Sequence, residues 1–401
     1  MGRGTWPAMT DQTLQHSANA FHYPAYVKYL GALTAHGFAA QIVVIAVSWQ
    51  VYDITRSAWD LGLIGLSQFL PALVLVLVTG LVADRFNRRF ILVVCLGIEM
   101  LCAAGFVVFT LSKPTDVTPV FAILAVLGVA RAFFSPAADA LSPNLLSKAA
   151  IPHGISLNSM TWQVTTITGP VLGGLLYGLG GEIAYGAAAL LVGAAILAVV
   201  WIGSTKQANR IAETTISTLL AGFRFIKSEP VVLGAISLDL FAVLLGGATA
   251  LMPIYARDIL QVNELGLGLL RAAPGVGAVA MALWLAKFGI KDHAGKVLFL
   301  FVAAFGLFTL VFGLSTWVPL SIFALVMMGA CDMISVYVRE TLMQLWTPDD
   351  VRGRVNAVNR VFIGASNELG EFRAGTVAAK LGAVTAVVIG GVGTVVVAGL
   401  K

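Results

Sequence analysis

The feature of this chain that most constrains its fold is a weak internal repeat, in which the second half follows the first at a spacing of 201 residues. An acidic residue recurs at that spacing, as Asp139 and Glu340. Five further residues recur unchanged: Gly128, Leu141, Asn158, Gly169 and Gly174 return as Gly329, Leu342, Asn359, Gly370 and Gly375. The repeat therefore predicts two halves of similar structure.

Both halves consist mainly of long apolar segments. The chain is 58% hydrophobic and 11% charged, whereas soluble domains carry about 25% charged residues. Many of the apolar runs reach about 18 residues, enough to cross a bilayer as a helix. Twelve spans are predicted, at 28–51, 60–82, 90–112, 117–139, 153–179, 182–203, 231–256, 264–287, 296–314, 317–340, 354–379 and 381–400. We expect an all-α membrane protein with two pseudo-symmetric six-helix bundles, an arrangement in which secondary transporters place a substrate site between repeats.

Positive charge is distributed unequally between the predicted loops. The loops after spans 2, 4, 6, 8 and 10 hold fourteen cations: Arg85, Arg88, Arg89, Lys148, Lys206, Arg210, Arg224, Lys227, Lys287, Lys291, Lys296, Arg339, Arg352 and Arg354. The intervening loops hold four: Arg56, Lys113, Arg257 and Lys380. Because Lys and Arg accumulate on the cytoplasmic side, we predict both termini in the cytoplasm. The predicted domains are a cytosolic N-terminal segment 1–27, a first bundle 28–203, a cytosolic central loop 204–230 and a second bundle 231–401.

Several classes of protein are excluded by the sequence. It shows no nucleophile–base pair, metal-ligand spacing or phosphate-binding loop, so we expect neither an enzyme nor a metal or other cofactor. The net charge of +5 comes mostly from the loops and does not indicate nucleic-acid binding. Cys95, Cys102 and Cys331 fall inside apolar spans without disulfide spacing, which favours a packing role. The first 27 residues have no apolar core of a signal peptide, so no cleavage is expected.

The loop after the second span carries a glycine, an acid and three arginines: Gly80, Asp84, Arg85, Arg88 and Arg89. These residues resemble the loop signature of the major facilitator superfamily, G-x-x-x-D-R-x-G-[RK]-[RK], with Asn87 in place of the second glycine. Asparagine tolerates the left-handed conformation better than most residues, so we predict the same left-handed turn at Asn87. The resemblance implies a gate in which Asp84 holds the cytosolic side closed. We expect the arginines to pair with acids of the facing half or with anionic lipid.

Span 5 contains a proline among small residues: Gly169, Pro170, Gly173 and Gly174. Proline bends a membrane helix, and glycines spaced by four residues permit close helix packing. The group resembles the motif that the superfamily associates with antiporters, G-x-x-x-G-P-x-x-G-G, although Thr165 replaces the first glycine. The resemblance implies antiport, and a kinked packing helix without that role is the alternative.

Three stretches carry a narrower resemblance, to the bacterial enterobactin-exporter and macrolide-efflux branch of the superfamily. They lie at 128–174, 238–241 and 368–373, and the similarity extends over essentially the whole chain. The resemblance implies a multi-pass protein of the bacterial cytoplasmic membrane that exports a small molecule. The branch is chemically diverse, so the substrate and its charge stay open.

Four ionisable residues lie inside the spans that line the central cavity in this superfamily: His36, Arg131, Asp239 and Asp332. Placing a charged side chain in the bilayer centre costs about 2.5–3.5 kcal/mol even on the lower free-energy scales, so each of these residues requires a structural or functional explanation. Our hypothesis is that Asp239 or Asp332 binds a driving proton, that Arg131 tunes its proton affinity, and that His36 titrates as a second group. The alternative is a static buried pair of Arg131 with Asp332.

Five further charged residues fall within predicted spans: Glu99, Arg271, Glu368, Glu371 and Arg373. Glu99 lies on a span behind the cavity, so a structural partner is expected. Glu368 and Glu371 share one helix face, with Arg373 nearby, and either contact substrate or fasten span 11 to its neighbours. Arg271 is a candidate contact for an anion.

The combined prediction is a secondary transporter that exports a small organic molecule, such as a siderophore, drug or metabolite, by proton-coupled antiport. The alternative within the superfamily is an importer or a lysophospholipid flippase, and a membrane sensor without transport is a remote third. The expected partners are the substrate, protons and membrane lipid, with no nucleic acid. A monomer suffices for this function.

Overall fold

The computed structural model describes residues 18–203, 223–290 and 293–399. Within them the chain forms twelve long helices: α1 Pro24–Thr55, α2 Ala58–Arg85, α3 Arg88–Leu111, α4 Thr118–Leu141, α5 Ile151–Leu179, α6 Gly181–Val200, α7 Pro230–Gly246, α8 Glu264–Phe288, α9 Ala294–Leu314, α10 Val318–Trp346, α11 Asp349–Leu381 and α12 Ala383–Gly399. Most of the predicted N-terminal segment and central loop lies outside the described residues. The predicted domain boundaries stay predictions.

Ten of the twelve helices are apolar. Among the described residues, nine helices are long and apolar enough to cross a membrane, and α12 is a shorter apolar helix. The two that remain, α5 and α11, carry more polar residues. Both of them pack across the molecule, α5 against α8 and α11 against α2. Polar residues are therefore concentrated where the two halves meet rather than at a surface facing lipid.

The helices pack as two groups, α1–α6 and α7–α12. One hydrophobic cluster contains only residues of the first group, including Tyr26, Phe106 and Tyr185. Two others contain only residues from the second part of the chain, around Leu298 and Met343. This is the all-α arrangement of two bundles that the repeat predicts.

The two groups touch at one end of the molecule, which we call the closed end. It holds the turn at 56–57 and the start of α8. There Gly62 on α2 meets Gly375 on α11, and Gly174 on α5 meets Glu264 on α8. The opposite end, which we call the open end, holds the turn at 86–87. The contacts of α2 with the second group extend from the closed end as far as Phe69. Those of α5 extend from the closed end as far as Ile167. The molecule is thus closed at one end and open at the other.

Helix α7 is broken near the closed end. The predicted span 231–256 is not one continuous helix, because α7 ends at Gly246 and is followed by a 3-10 turn at Thr249–Leu251 and a π-helical turn at Tyr255–Ile259. Two consecutive glycines, Gly246 and Gly247, disfavour helix at this point. The guanidinium of Arg373 on α11 donates hydrogen bonds to the carbonyls of Leu244 (2.9 Å) and Leu245, which supplies partners for the broken helix end.

Two glycines related by the repeat permit close helix approaches. A Cβ added at Gly128 on α4 would overlap the backbone of Gln68 on α2, and one added at Gly329 on α10 would overlap the backbone of Pro274 on α8. The recurrence of glycine at a spacing of 201 residues therefore follows from the same packing requirement in both halves.

We expect Gly329→Ala to destabilise the protein by about 1–3 kcal/mol, because the added methyl must push α8 and α10 apart. The measurement is the thermal unfolding midpoint in detergent. Gly97→Ala on α3 is the matched control, since no atom lies within 4 Å of its added Cβ. Equal midpoints for the two variants would contradict the packing argument.

Candidate functional site

A polar cavity of about 140 Å³ lies between the two groups of helices, near the middle of the molecule. Its charged lining consists of two arginines and two glutamates from three helices: Arg131 on α4, Arg271 on α8, and Glu368 and Glu371 on α11. Gln68 on α2 and Ser48 on α1 complete the polar lining. The structure therefore brings together four residues that the sequence singled out in separate arguments. We call this space the central cavity.

Specific contacts hold these side chains in place. Arg131 Nη1 donates a hydrogen bond to Gln68 Oε1 at 2.8 Å. Arg131 Nε is buried without a hydrogen-bond partner among the described residues. Glu371 Oε1 accepts a hydrogen bond from the Thr249 hydroxyl at 2.9 Å, which connects α11 to the break after α7. Arg131 and Glu371 are thus both held at the wall of the cavity by neighbouring polar side chains.

The carboxylate of Glu368 packs against α2 at Gly65. A Cβ added at Gly65 would overlap Glu368 Oε2, so glycine there leaves room for the carboxylate in the position that it occupies. Both Arg131 and Arg271 interact electrostatically with Glu368. The carboxylate therefore lies between two cations contributed by opposite halves of the molecule.

A larger space of about 490 Å³ adjoins the central cavity. The two spaces share Gln68, Arg131 and Glu368, so they adjoin at these side chains. Most of the larger space is lined by apolar residues of α2, α4 and α11, including Phe69, Leu73, Ala132, Pro136 and Val361. Charged residues are concentrated where the two spaces adjoin, and the rest of the larger space is mainly apolar apart from Thr79, Ser135 and Asp139.

The four charges predicted to share one cavity lie in three places. His36 Nδ1 lies 3.0 Å from Glu99 Oε2, and its ring stacks on Phe134 at 4.1 Å between ring centroids. This pair is inside the first group of helices, in agreement with the structural partner expected for Glu99. Only Arg131 of the four lines the central cavity.

Asp239 and Asp332 lie together inside the second group of helices. Asp239 Oδ2 contacts Arg339 Nη1, and both side chains are at least nine-tenths buried. The charged neighbours of Asp332 are Asp239 and Arg339, so the alternative of an Arg131–Asp332 pair does not describe this structure. The prediction that Arg339 belongs to a loop is wrong, because α10 continues to Trp346 and buries Arg339 within it.

The gating-loop residues lie at the junction of α2 and α3. Arg88 Nη1 donates to the carbonyl of Ala140 at the end of α4, at 3.0 Å. Arg89 donates to carbonyls at the end of α6, including Val199 at 3.0 Å. These arginines satisfy helix ends within their own half instead of pairing with acids of the facing half. Arg85 is exposed.

The turn itself differs from the predicted one. The predicted left-handed conformation of Asn87 is wrong, because its φ is −62° and its side chain caps α3 by accepting from the backbone N–H groups of Arg89 and Phe90. The N-cap satisfies the first free N–H groups of the helix, which asparagine does well. Gly80 and Asp84 lie in the last turns of α2, and the side chain of Asp84 is outside the described part of the structure.

The packing motif joins α5 to both halves. Gly169 and Gly173 face α1, where added Cβ atoms would lie 2.6 Å from Gln41 Cβ and 3.1 Å from Ile42 Cα. Gly174 and Pro170 face α8, since a Cβ at Gly174 would overlap the Glu264 backbone and one at Gly268 would overlap the Pro170 carbonyl. The four residues make α5 a close-packed bridge between the groups.

Charged residues at the closed end form a cluster that the sequence did not reveal, because they are far apart in the chain. We call it the closed-end cluster: Tyr52, Asp53, Arg56, Arg257 and Asp258. Arg257 pairs with Asp53, and Tyr52 donates a hydrogen bond to Asp258. Arg56 Nη1 lies 3.5 Å from Asp258 Oδ1. All three contacts join α1 to the segment after the broken α7, so they tie the two groups together.

Solved structures share this architecture. A bacterial homolog of the human lysosomal transporter Spinster, in an inward-facing and occupied conformation, superposes with a TM-score of 0.76 at 14% identity, over 94% of this chain and 96% of that one. The nucleoside transporter NupG superposes with a TM-score of 0.72 at 14% identity, over 94% and 98% of the two chains. These likenesses show that the chain shares the fold of these transporters.

The sequence comparisons identify the family to which the chain belongs. The transmembrane secretion effector family matches residues 30–401, so the chain belongs to that family. The enterobactin exporter EntS of Shigella dysenteriae serotype 1 (strain Sd197) is 27% identical over 319 residues, 78% of this chain and 76% of its own length. EntS of Escherichia coli O1:K1 / APEC is equally similar. The resemblance drawn from the motifs is thereby confirmed, and the chain is a multi-span membrane transporter rather than an enzyme.

Proposed function

We propose that this protein exports a small organic molecule from the cytoplasm by proton-coupled antiport, working as a monomer in the bacterial inner membrane. The central cavity of Arg131, Arg271, Glu368 and Glu371, with the mainly apolar space that adjoins it, carries the proposal. Such a volume suits a molecule with a polar group at one end and an apolar body. The EntS relatives, which are exporters of enterobactin, favour export as the direction.

The conformation is consistent with loading from the cytoplasm. Cations are concentrated at the open end, where the described ones include Arg85, Arg88, Arg89, Lys148, Arg224, Lys227, Lys287, Lys296, Arg352 and Arg354. The positive-inside rule assigns that end to the cytoplasm. In this orientation the cavity faces the cytoplasm while the closed-end cluster seals the outer side. Alternating access then requires that cluster to open and the open end to close.

The test uses purified protein in liposomes that contain a trapped pH-sensitive dye. Enterobactin, a macrolide and a cationic dye are added in turn under an imposed pH gradient. We expect at least one of them to move against the proton flow, with a substrate-dependent pH change that protein-free liposomes lack. The sign of the pH change for a given substrate gradient distinguishes antiport from symport.

A protonophore provides the internal control, because it abolishes the imposed gradient without affecting the protein. Substrate movement that continues unchanged under the protonophore, with no linked pH change, would contradict proton coupling. That result would instead indicate a uniporter or a flippase. Absence of any movement across a broad panel would contradict transport of these classes of molecule.

A further inference from the structure

A second polar site is buried inside the second group of helices, apart from the central cavity. A space of about 10 Å³ lies between α7, α9 and α10, and its polar lining is Asp239, Asp332 and Ser335. That volume is close to the lower limit for one water molecule, which also needs two to four polar partners. The site has the size and the lining to hold a single water.

An unsatisfied hydroxyl points to the same occupant. Ser335 is 4% exposed, and its Oγ has no hydrogen-bond partner among the described residues. Buried polar groups in proteins nearly always have partners, either protein atoms or ordered water. A water in the small space would give Ser335 a hydrogen-bond partner and would lie beside Asp239 and Asp332, which line the same space. The remaining lining from α9 is apolar, from Phe301, Val302 and Phe305.

The small space has a polar connection toward the central cavity. Asp332 also lines an adjacent cavity of about 190 Å³, together with Thr249 and Asn367. Thr249 donates its hydrogen bond to Glu371, which lines the central cavity. Asp332 therefore lines both the small buried space and the adjacent cavity of about 190 Å³, which is linked to the central cavity through Thr249.

We propose that Asp332, Asp239 and the water between them form a proton-binding site separate from the substrate site, with Arg339 as its positioning residue. The inference rests on the proposed function, since it assigns the residues that carry the coupled proton. Asp332 takes a proton from water in the adjacent cavity and passes one through the bridging water to Asp239. Asp239 then becomes a neutral carboxylic acid and its ion pair with Arg339 is lost.

The ion pair gives this proton a mechanical consequence. Asp239 and Arg339 connect α7 to α10, and α7 is the helix that breaks at Gly246. Neutralising Asp239 removes the direct ion-pair partner of Arg339 and leaves the Asp332 carboxylate as its remaining charged neighbour, which disfavours the packing seen here. The charged groups that face the pair are Asp332 on α10 and, through Thr249, Glu371 on α11. Proton binding is thereby linked to the position of α7 without direct competition with substrate.

The experiment compares two assays of the same liposomes, with the substrate identified by the transport test. Exchange of labelled for unlabelled substrate requires the substrate site alone, whereas uptake driven by a pH gradient requires coupling. We expect Asp332→Asn and the charge-neutral pair Asp239→Asn/Arg339→Gln to keep exchange within about threefold of the unaltered protein. Gradient-driven uptake in both is expected to fall at least tenfold.

Two hydroxyl variants test the water and the connection. Ser335→Ala is expected to reduce gradient-driven uptake several-fold with exchange unchanged, and Ser159→Ala, which removes an exposed hydroxyl on α5, to change neither. Thr249→Val is expected to act like Ser335→Ala, while Thr249→Ser restores the uptake. These variants leave the buried charges intact, so they test the site even where the double variant does not fold.

The outcomes separate this inference from the proposed function. Coupled uptake that stays at its normal level in both Asp332→Asn and Ser335→Ala would overturn the separate proton site while leaving proton-driven export standing. Loss of exchange together with uptake in folded variants would place these residues in substrate binding and also overturn it. Absence of coupling in the unaltered protein would remove the proposed antiport and this inference with it.

Discussion

Arg131→Gln is expected to weaken substrate binding by about 10- to 100-fold and to abolish transport at ordinary substrate concentrations. Arg131 is the cation that the first half contributes to the central cavity, where it lies beside Gln68. A hydrogen bond to a charged group contributes about 1.5–3 kcal/mol, which corresponds to that loss of affinity. The loss also leaves Glu368 with one cation instead of two. Titration calorimetry on detergent-purified protein measures the binding constant.

Arg131→Lys is the informative companion variant. Lysine keeps the charge but lacks the planar fork of donors, so a site that uses two donors toward one ligand group loses affinity with either replacement. Lys148→Gln at the open end is the control for loss of one positive charge, because Lys148 is exposed and lies outside the cavity lining. Normal affinity in Arg131→Gln would remove Arg131 from the substrate site and leave it as the partner of Gln68.

The helices and their grouping are predictable from the sequence because they depend on local and repeated signals. Long apolar runs define most spans, and the repeat defines the two halves. Gly128 and Gly329 recur since each permits the same close approach to a neighbouring helix. Even the more polar helices are recognisable from the sequence. The proline and glycines mark α5, and the repeat of two of those glycines marks α11. These features need no knowledge of which side chains meet.

The pairing of the buried charges is not predictable in this way. Residues related by the repeat share a depth but have different neighbours, so Arg131 faces Gln68 whereas Asp332 lies beside Asp239. The burial of Arg339 is not predictable from the sequence, because a cation near a helix end is usually a loop residue and only the continuation of α10 buries it. Side-chain partners on different helices depend on helix rotation, which the apolar pattern specifies only coarsely.

The gating loop likewise has residue types that the sequence predicts and contacts that it does not. Its residue types are predictable from resemblance, but the contacts of Arg88 and Arg89 with the ends of α4 and α6 depend on where those helices stop. Asn87 illustrates a local competition, in which the side chain of asparagine caps α3 and its backbone does not need the left-handed conformation. A motif therefore identifies the segment more reliably than it identifies the interactions.

Arg56→Gln/Arg257→Gln is expected to shift the protein toward a conformation in which the closed end opens. The double change removes two ion pairs that join α1 to the segment after α7. Partly exposed pairs contribute about 0–1 kcal/mol each. Their combined loss, up to about 2 kcal/mol, changes the ratio of the two conformations by up to about 30-fold. Added salt is expected to produce a smaller shift in the same direction in the unaltered protein.

Distances between spin labels measure the shift. Lys113→Cys/Lys380→Cys places labels on exposed sites of the two halves at the closed end, and Lys148→Cys/Arg354→Cys does so at the open end. The native cysteines Cys95, Cys102 and Cys331 are buried. We expect the first distance to lengthen and the second to shorten in the Arg56→Gln/Arg257→Gln background, since alternating access couples the two ends.

Arg224→Gln/Lys227→Gln is the matched control, because it removes two exposed cations from the same chain outside the closed-end cluster. Its distance distributions are expected to equal those of the unaltered protein. Tyr52→Phe, which removes the hydroxyl that donates to Asp258, is expected to increase the shift when added to the double variant. Unchanged distances at both ends would show that apolar packing between the halves, rather than these charges, holds the closed end together. The close contacts of Gly62 with Gly375 and of Gly174 with Glu264 would then be the contacts that alternating access has to break.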